Sequence, residues 1–397
     1  MRQSWLIISA LLLNSCISTR PKTKSNWAVL DSAKIHNCEK IPRKKSDLAI
    51  LDIEPFQGNF KIANGLVFSA RQRKGVNYNY LAALDGVEVE LEKQHKFIWG
   101  NGASYLGQID IAGKTHVVVK ALDQANFKRI EIRSIEDNIV RYSSKRLPYS
   151  FRGLKVLPSK SGLWLVFKHA KAQTSLDDMP TEIVEAKYGD DDKLDLNLSK
   201  SFKIPGDSKV VGFGIGRIAA FFAQQLPGKL GRVKLSYTIF DTLEKKPTVI
   251  EYSDESIDRL ESWAISPHRD GILLVFVSGD TLIWENAKMD IVAFDNSGDT
   301  SWSKSYPIEG EHVGEPHLVH KGSKTYLVQP KWLDSESTLQ VSEIGRSGLN
   351  SLGYHGIFSE GTFLYRVFDQ PSEDGLYIIS RYPEGFGKGH DICEISL

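Results

Sequence analysis

Seven short apolar runs recur about fifty residues apart. Turn residues close each of them, and no stretch from Ile62 to Leu397 carries a helical repeat. Together these observations predict an all-β chain folded as a β-propeller of seven four-stranded blades. A blade is four short antiparallel strands, and its second strand is buried on both faces. The runs are centred on Val67, Val118, Leu165, Ala220, Leu274, Leu327 and Ile378. Each is a near-continuous stretch of Val, Ile, Leu and Phe, as a strand with apolar neighbours on both sides requires. The chain's 397 residues exceed the usual reach of one hydrophobic core, and a propeller is one of the few architectures that holds such a length as one domain.

The fifth repeat can be followed strand by strand: 262–266 inner, 267–270 turn, 272–277 second, 289–294 third, 300–306 outer. Its segment Ile291-Val-Ala-Phe-Asp-Asn-Ser-Gly-Asp-Thr-Ser-Trp302 resembles the hairpin between the third and fourth strands of PQQ-like, tryptophan-docking propeller repeats. Asp295 and Gly298 stand at the turn and Trp302 at the docking position. A weaker copy runs from Gln340 to Gly348, with Leu352 in place of the tryptophan. The resemblance covers a minor part of the chain and implies the architecture; it implies no cofactor.

The last repeat offers three strands, at 362–368, 376–380 and 391–396, and is one short. A strand at 47–53, ahead of the first repeat, is expected to supply the fourth, close the ring and remove an exposed edge. Cys38 and Cys393 then lie near one another, and in an oxidising compartment an even pair is expected to form a disulfide.

That compartment follows from the N-terminus. Arg2 and the apolar run from Trp5 to Leu13, broken only by Ser9, form the charged and apolar regions of a signal peptide too short to span a bilayer. Leu13-Asn14-Ser15-Cys16 resembles the lipobox of bacterial lipoproteins, which implies cleavage after Ser15 and a diacylglycerol on Cys16. Residues 1–15 are thus expected to be the signal, 16–37 a lipidated polar tether and 38–397 the propeller. Ile17 after the lipid site implies sorting to the outer membrane, facing either the periplasm or the cell surface.

The chain has 50 basic and 49 acidic residues; with Arg2 removed, the mature chain has 49 of each and no net charge. Nucleic acid is therefore excluded as an expected partner, because binding it draws on basic excess and counterion release. No catalytic, cofactor or metal set emerges. Gly212-Phe-Gly-Ile-Gly216 leads into a strand rather than a helix, so a phosphate would meet no helix terminus; its glycines are expected to mark tight packing around the channel. His312, His317 and His320 cluster beside Glu311 and Glu315, yet 317 and 320 face opposite sides of a strand. The acidic loops at 175–178 and 189–192 lack the ligand pattern of a calcium loop. No serine sits in a Gly-x-Ser-x-Gly elbow.

The remaining signal is in loops expected at 71–78, 169–181, 224–232, 279–288, 330–337 and 381–390. They carry Tyr78, Trp284, Trp332, Tyr382 and Phe386, a candidate binding face, since exposed aromatics favour recognition surfaces. The expected function is a membrane-anchored cell-envelope lipoprotein whose propeller is a protein-interaction or ligand-binding scaffold with an envelope protein partner. The alternative is an envelope hydrolase or lyase acting on glycan, with carboxylates at the channel mouth. In anchoring and architecture the chain is similar to the propeller lipoprotein of the outer-membrane barrel-assembly machinery, whose repeats are more regular and commonly eight.

Overall fold

A computed structural model describes residues 35–41, 48–57, 64–72, 77–85, 88–97, 104–122, 128–137, 139–147, 151–169, 180–204, 207–228, 231–243, 246–252, 257–258, 260–269, 271–279, 287–308, 312–333, 336–345, 348–358, 363–369, 375–384 and 387–397. Among them the structure is all-β, with one 3-10 turn at Leu198–Lys200 and no α-helix. The expected signal peptide, Cys16 and most of the expected tether lie outside the described residues.

Each apolar run is the second strand of an antiparallel meander. Strand β1 (Ile35–Lys40) precedes a first meander of β2 (Leu48–Gln57), β3 (Asn64–Gln72), β4 (Asn77–Asp85) and β5 (Glu88–Phe97). The next is β6 (Ser104–Ile111), β7 (Lys114–Leu122), β8 (Lys128–Ser134) and β9 (Val140–Ser144). After it come β10 (Phe151–Pro158), β11 (Gly162–His169), β12 (Thr181–Tyr188) and β13 (Lys193–Leu196), with β14 (Phe202–Ile204) also pairing with β12. The fourth has β15 (Asp207–Phe213), β16 (Arg217–Gln225) and β17 (Arg232–Phe240), then two short edge pieces, β18 (Ile250–Glu251) and β19 (Ile257–Asp258). The fifth is β20 (Leu260–His268), β21 (Gly271–Ser278), β22 (Lys288–Phe294) and β23 (Thr300–Pro307), within two residues of the sequence expectation at every boundary. In the sixth, the first strand is split into β24 (His312–Val313) and β25 (His317–Lys321), ahead of β26 (Lys324–Leu333), β27 (Glu336–Gly345) and β28 (Gly348–Phe358). The final three strands are β29 (Phe363–Asp369), β30 (Gly375–Glu384) and β31 (Gly387–Ser396). These meanders form six hydrogen-bonded sheets among the described residues, because β9 and β13 join the second and third through a short parallel contact, Ser143 to Lys193 and Ser144 to Leu194.

The N-terminal strand that pairs with the last sheet is β1, not the expected segment 47–53. β1 runs antiparallel to β31, with Ile35 opposite Ile395 and Lys40 opposite Asp391. Residues 48–53 of that segment instead lie in β2, the first strand of the first meander, where Ile53 faces Phe68. The reason is connectivity: β2 and β3 are joined by only a short link, and consecutive strands so joined pair as a hairpin.

The packing explains why the second strands are apolar throughout. Their side chains alternate between two sides, and both sides are buried. Trp164 packs with Ile218, Ala220 and Phe222 of the following meander, whereas its neighbour Leu165 packs with Val118 and Ile132 of the preceding one. Phe221 likewise meets Leu274 and Phe294, and Leu273 meets Leu327 and Ile344. Val328 and Val341 pack with Ile378 and Ile395, and Phe56 and Leu81 with Val117 and Val119. A further layer joins the two ends of the chain: Ile53, Leu66 and Phe68 of the first meander against Phe368, Ile379 and Ile392 of the last sheet. Burying one such side chain contributes about 1.5–3 kcal/mol.

Asp295 makes its hairpin by accepting from the backbone N–H groups of Ser297 (2.8 Å) and Asp299 (3.0 Å), while Gly298 adopts φ +94°. Trp302 is partly buried against the apolar layer of that sheet. Gly212–Gly216 ends β15 and forms the turn to β16, where the packing is tight: Gly216 (φ +69°) abuts the backbone of Ser159 and Lys160 on the neighbouring hairpin. The Trp164 indole N–H donates to its carbonyl at 2.9 Å.

Candidate functional site

A meander's first strand has a partner on one side only, so its other edge is free to line an interior. β6, β10, β15, β20, β25 and β29 stand beside one another in that order. The ion pair between Arg366 of β29 and Glu54 of β2 (3.1 Å) carries the contact on to the first meander. Charged side chains from these strands converge. Lys209 of β15 pairs with Glu315, reaching past β20, and its ammonium lies 5.7 Å from the centre of the Trp263 ring. Glu315 is available there because Gly314-Glu315-Pro316 interrupts the strand between β24 and β25; proline cannot donate to a ladder and is tolerated at such an edge.

The electrostatics mark one shared environment. Lys155 of β10 donates to the Val210 carbonyl at 3.1 Å and forms no ion pair among the described residues. Its side chain is exposed to solvent. Desolvation lowers its pKa, and Lys209 and Arg366 push the same way while Glu54 opposes them. Burial depresses His317 to about 4; Glu315 opposes the shift, and Arg366 and Lys209 add to it. Burial, with Glu54 adding to it, raises the Tyr105 phenol. Six first-strand regions thus contribute groups that feel one another: Glu54, Tyr105, Lys155, Lys209, His317 with Glu315, and Arg366.

A glycosidase needs two carboxyl groups flanking a bond, one of them kept protonated. Glu54 and Glu315 are each engaged by a cation. His317 and His320, expected on opposite faces of a strand, have different surroundings: His317 feels the charged groups of the interior, while His320 Nδ1 lies 3.2 Å from the Thr325 hydroxyl, which also contacts His268 at 2.9 Å.

The predicted aromatic face is only partly visible. Trp284 and Phe386 lie outside the described residues. Tyr78 is in β4 and Trp332 in β26, both in paired backbone rather than in loops. Tyr382 is in β30, opposite Gly389; its hydroxyl lies 3.2 Å from an Asp391 carboxylate oxygen on the neighbouring strand, so it rests on its own sheet. Several loops expected to be long are continuations of hairpins: β3–β4, β26–β27 and β30–β31 leave only 73–76, 334–335 and 385–386 between them. The segments 170–179 and 280–286 lie outside the described residues. The interior charges were missed, though a signal exists: Glu54, Lys155, Lys209, His317 and Arg366 each fall about a dozen residues before the centre of an apolar run.

The chain is all-β, with the strand connectivity of a β-propeller-like array. No family model matches it, and no curated protein matches it. Similar solved structures include the β-propeller domain of the Trilobed protease from Pyrococcus furiosus, at TM-score 0.46 and 11% identity over 89% of this chain and 91% of that one. Another is Hsv2 from Kluyveromyces lactis, at TM-score 0.46 and 13% identity over 84% and 92%. A third is the C-terminal WD40 domain of Sif2, at TM-score 0.45 and 7% identity over 90% and 97%. With likenesses this distant, the fold is read from strand pairing alone.

Proposed function

We propose that this chain is a lipid-anchored binding protein of the bacterial cell envelope, built on a closed seven-bladed propeller and held to the outer membrane through Cys16. The observation that carries the binding reading is the interior lined by Glu54, Lys155, Lys209, Glu315, His317 and Arg366, where charged groups from separate sheets meet and both carboxylates are ion-paired. Seven apolar runs, each the second strand of its own meander, support the blade count. So does the apolar layer shared by the first and last meanders. A Cys38–Cys393 disulfide is part of the proposal. Its support is the register of β1 on β31, in which His36 faces Glu394 and Glu39 faces Ile392, leaving Cys38 in a bulge beside Cys393.

Anchoring rests on the lipobox alone, and Cys16→Ala tests it. The variant is expected in the soluble envelope fraction, and membrane fractionation like wild type would refute the anchor. For the binding reading, crosslinked capture of the lipidated protein from its own envelope is expected to yield a stoichiometric partner or ligand. Turnover of envelope glycan by the purified protein would establish the enzyme instead.

A further inference from the structure

A cavity of about 390 Å³ opens between the third and fourth meanders, beside the charged interior. Its lining includes Lys155 of β10, Lys168 of β11, Thr181 of β12, and Ser208 and Lys209 of β15, with Ile265 of β20 on its apolar side. Three lysines and two hydroxyl-bearing residues therefore line one space, and no carboxylate lines it among the described residues. The volume falls in the range of small-molecule sites, about 300–1,000 Å³. The Ser208 hydroxyl donates to that of Thr181 at 2.5 Å, which fixes the pair across the junction of two sheets.

Charge balance makes the cavity more than a gap. Lys209 is met by Glu315, but Lys155 has only the Val210 carbonyl. Lys155 is open to solvent, so its ammonium can meet a ligand that enters the cavity, and the nearby cations Lys209 and Arg366 add to the positive potential there. An anion would accept charge-assisted hydrogen bonds from these groups.

We propose that this cavity binds a small molecule through an oxyanion group, a phosphate or carboxylate, with Lys155 as its principal contact and Lys209, Ser208 and Thr181 completing the site. The inference rests on the binding reading above and names the ligand class. Calorimetric titration of the full-length protein with inorganic phosphate and, separately, citrate, at low ionic strength with chloride as control, tests it. Saturable binding of at least one oxyanion is expected. Lys155→Gln should weaken it about 10-fold or more, Ser208→Ala should weaken it less, and Lys155→Arg should retain it. Lys145→Gln, at a separate cavity, should leave it unchanged. Thermal melts that match wild type establish that the variants fold. Absence of saturable binding by either anion, or equal binding by wild type and Lys155→Gln, overturns the site. Envelope capture with the Lys155→Gln protein separates the two failures: a retained partner leaves the scaffold reading standing without this site.

Discussion

His317 shows how a single side chain takes its properties from its surroundings. Burial holds its folded pKa at about 4, below the ordinary 6.5. Between those values the unfolded chain binds a proton that the folded chain does not, so stability rises with pH across that window. It is fully present above the unfolded value, is lost as pH falls from 6.5 toward 4, and is level below. The swing is on the order of 3 kcal/mol. Glu315, Arg366 and Lys209 are the charged groups that face it. Urea unfolding of wild type and His317→Asn from pH 4 to 7 is expected to show a shallower slope in the variant, and identical slopes would remove His317 from the buried interior. Gly216 makes the same point for backbone: its positive φ and its approach to Ser159 and Lys160 leave no room for a β-carbon.

At the scale of elements, the decisive strand is β1. It covers β31, which would otherwise offer its unpaired backbone groups as an edge for aggregation. Deleting residues 17–41 should remove that cover, and the protein should aggregate or unfold without cooperativity. Deleting residues 17–32 should leave the melting transition unchanged, since the described pairing begins at Ile35. Light scattering and thermal melts of the two truncations check this, and equal behaviour would show that β1 contributes nothing to the fold's integrity. The second strands were legible because burial on both faces leaves a continuous apolar signature. β1, with the sequence Ile-His-Asn-Cys-Glu-Lys, carries no such signature, and the more apolar segment at 47–53 was the natural but wrong choice.

For the whole molecule, the ends matter most. A Cys38–Cys393 bond would tie the first described strand to the last and constrain the unfolded chain over nearly its full length. The loop-entropy scale for such long loops is about 4–5 kcal/mol. Protein isolated under acid quench is expected to show no free thiol at either position, and reduction should lower its melting temperature. Two free thiols, or a melt insensitive to reductant, would refute the bond. The near-even charge balance of the chain, 50 basic to 49 acidic residues, agrees with recognition by local arrangement rather than by a global field.

The sequence by itself determined the all-β class, the spacing of the repeats, the second strand of every meander and the strands of the fifth to within two residues. These follow from local periodicity and turn chemistry, which a linear reading sees. Only the tertiary structure decided which N-terminal segment covers the last sheet, that Gly212–Gly216 is a turn braced on its neighbour, and that Tyr382 rests on its own sheet. It alone brought Glu54, Lys155, Lys209, Glu315, His317 and Arg366 together. Each of these is one charged residue in an ordinary strand, separated from the others by tens to hundreds of positions. Their shared interior exists because first strands from different sheets stand side by side, a relation between elements that no local pattern encodes.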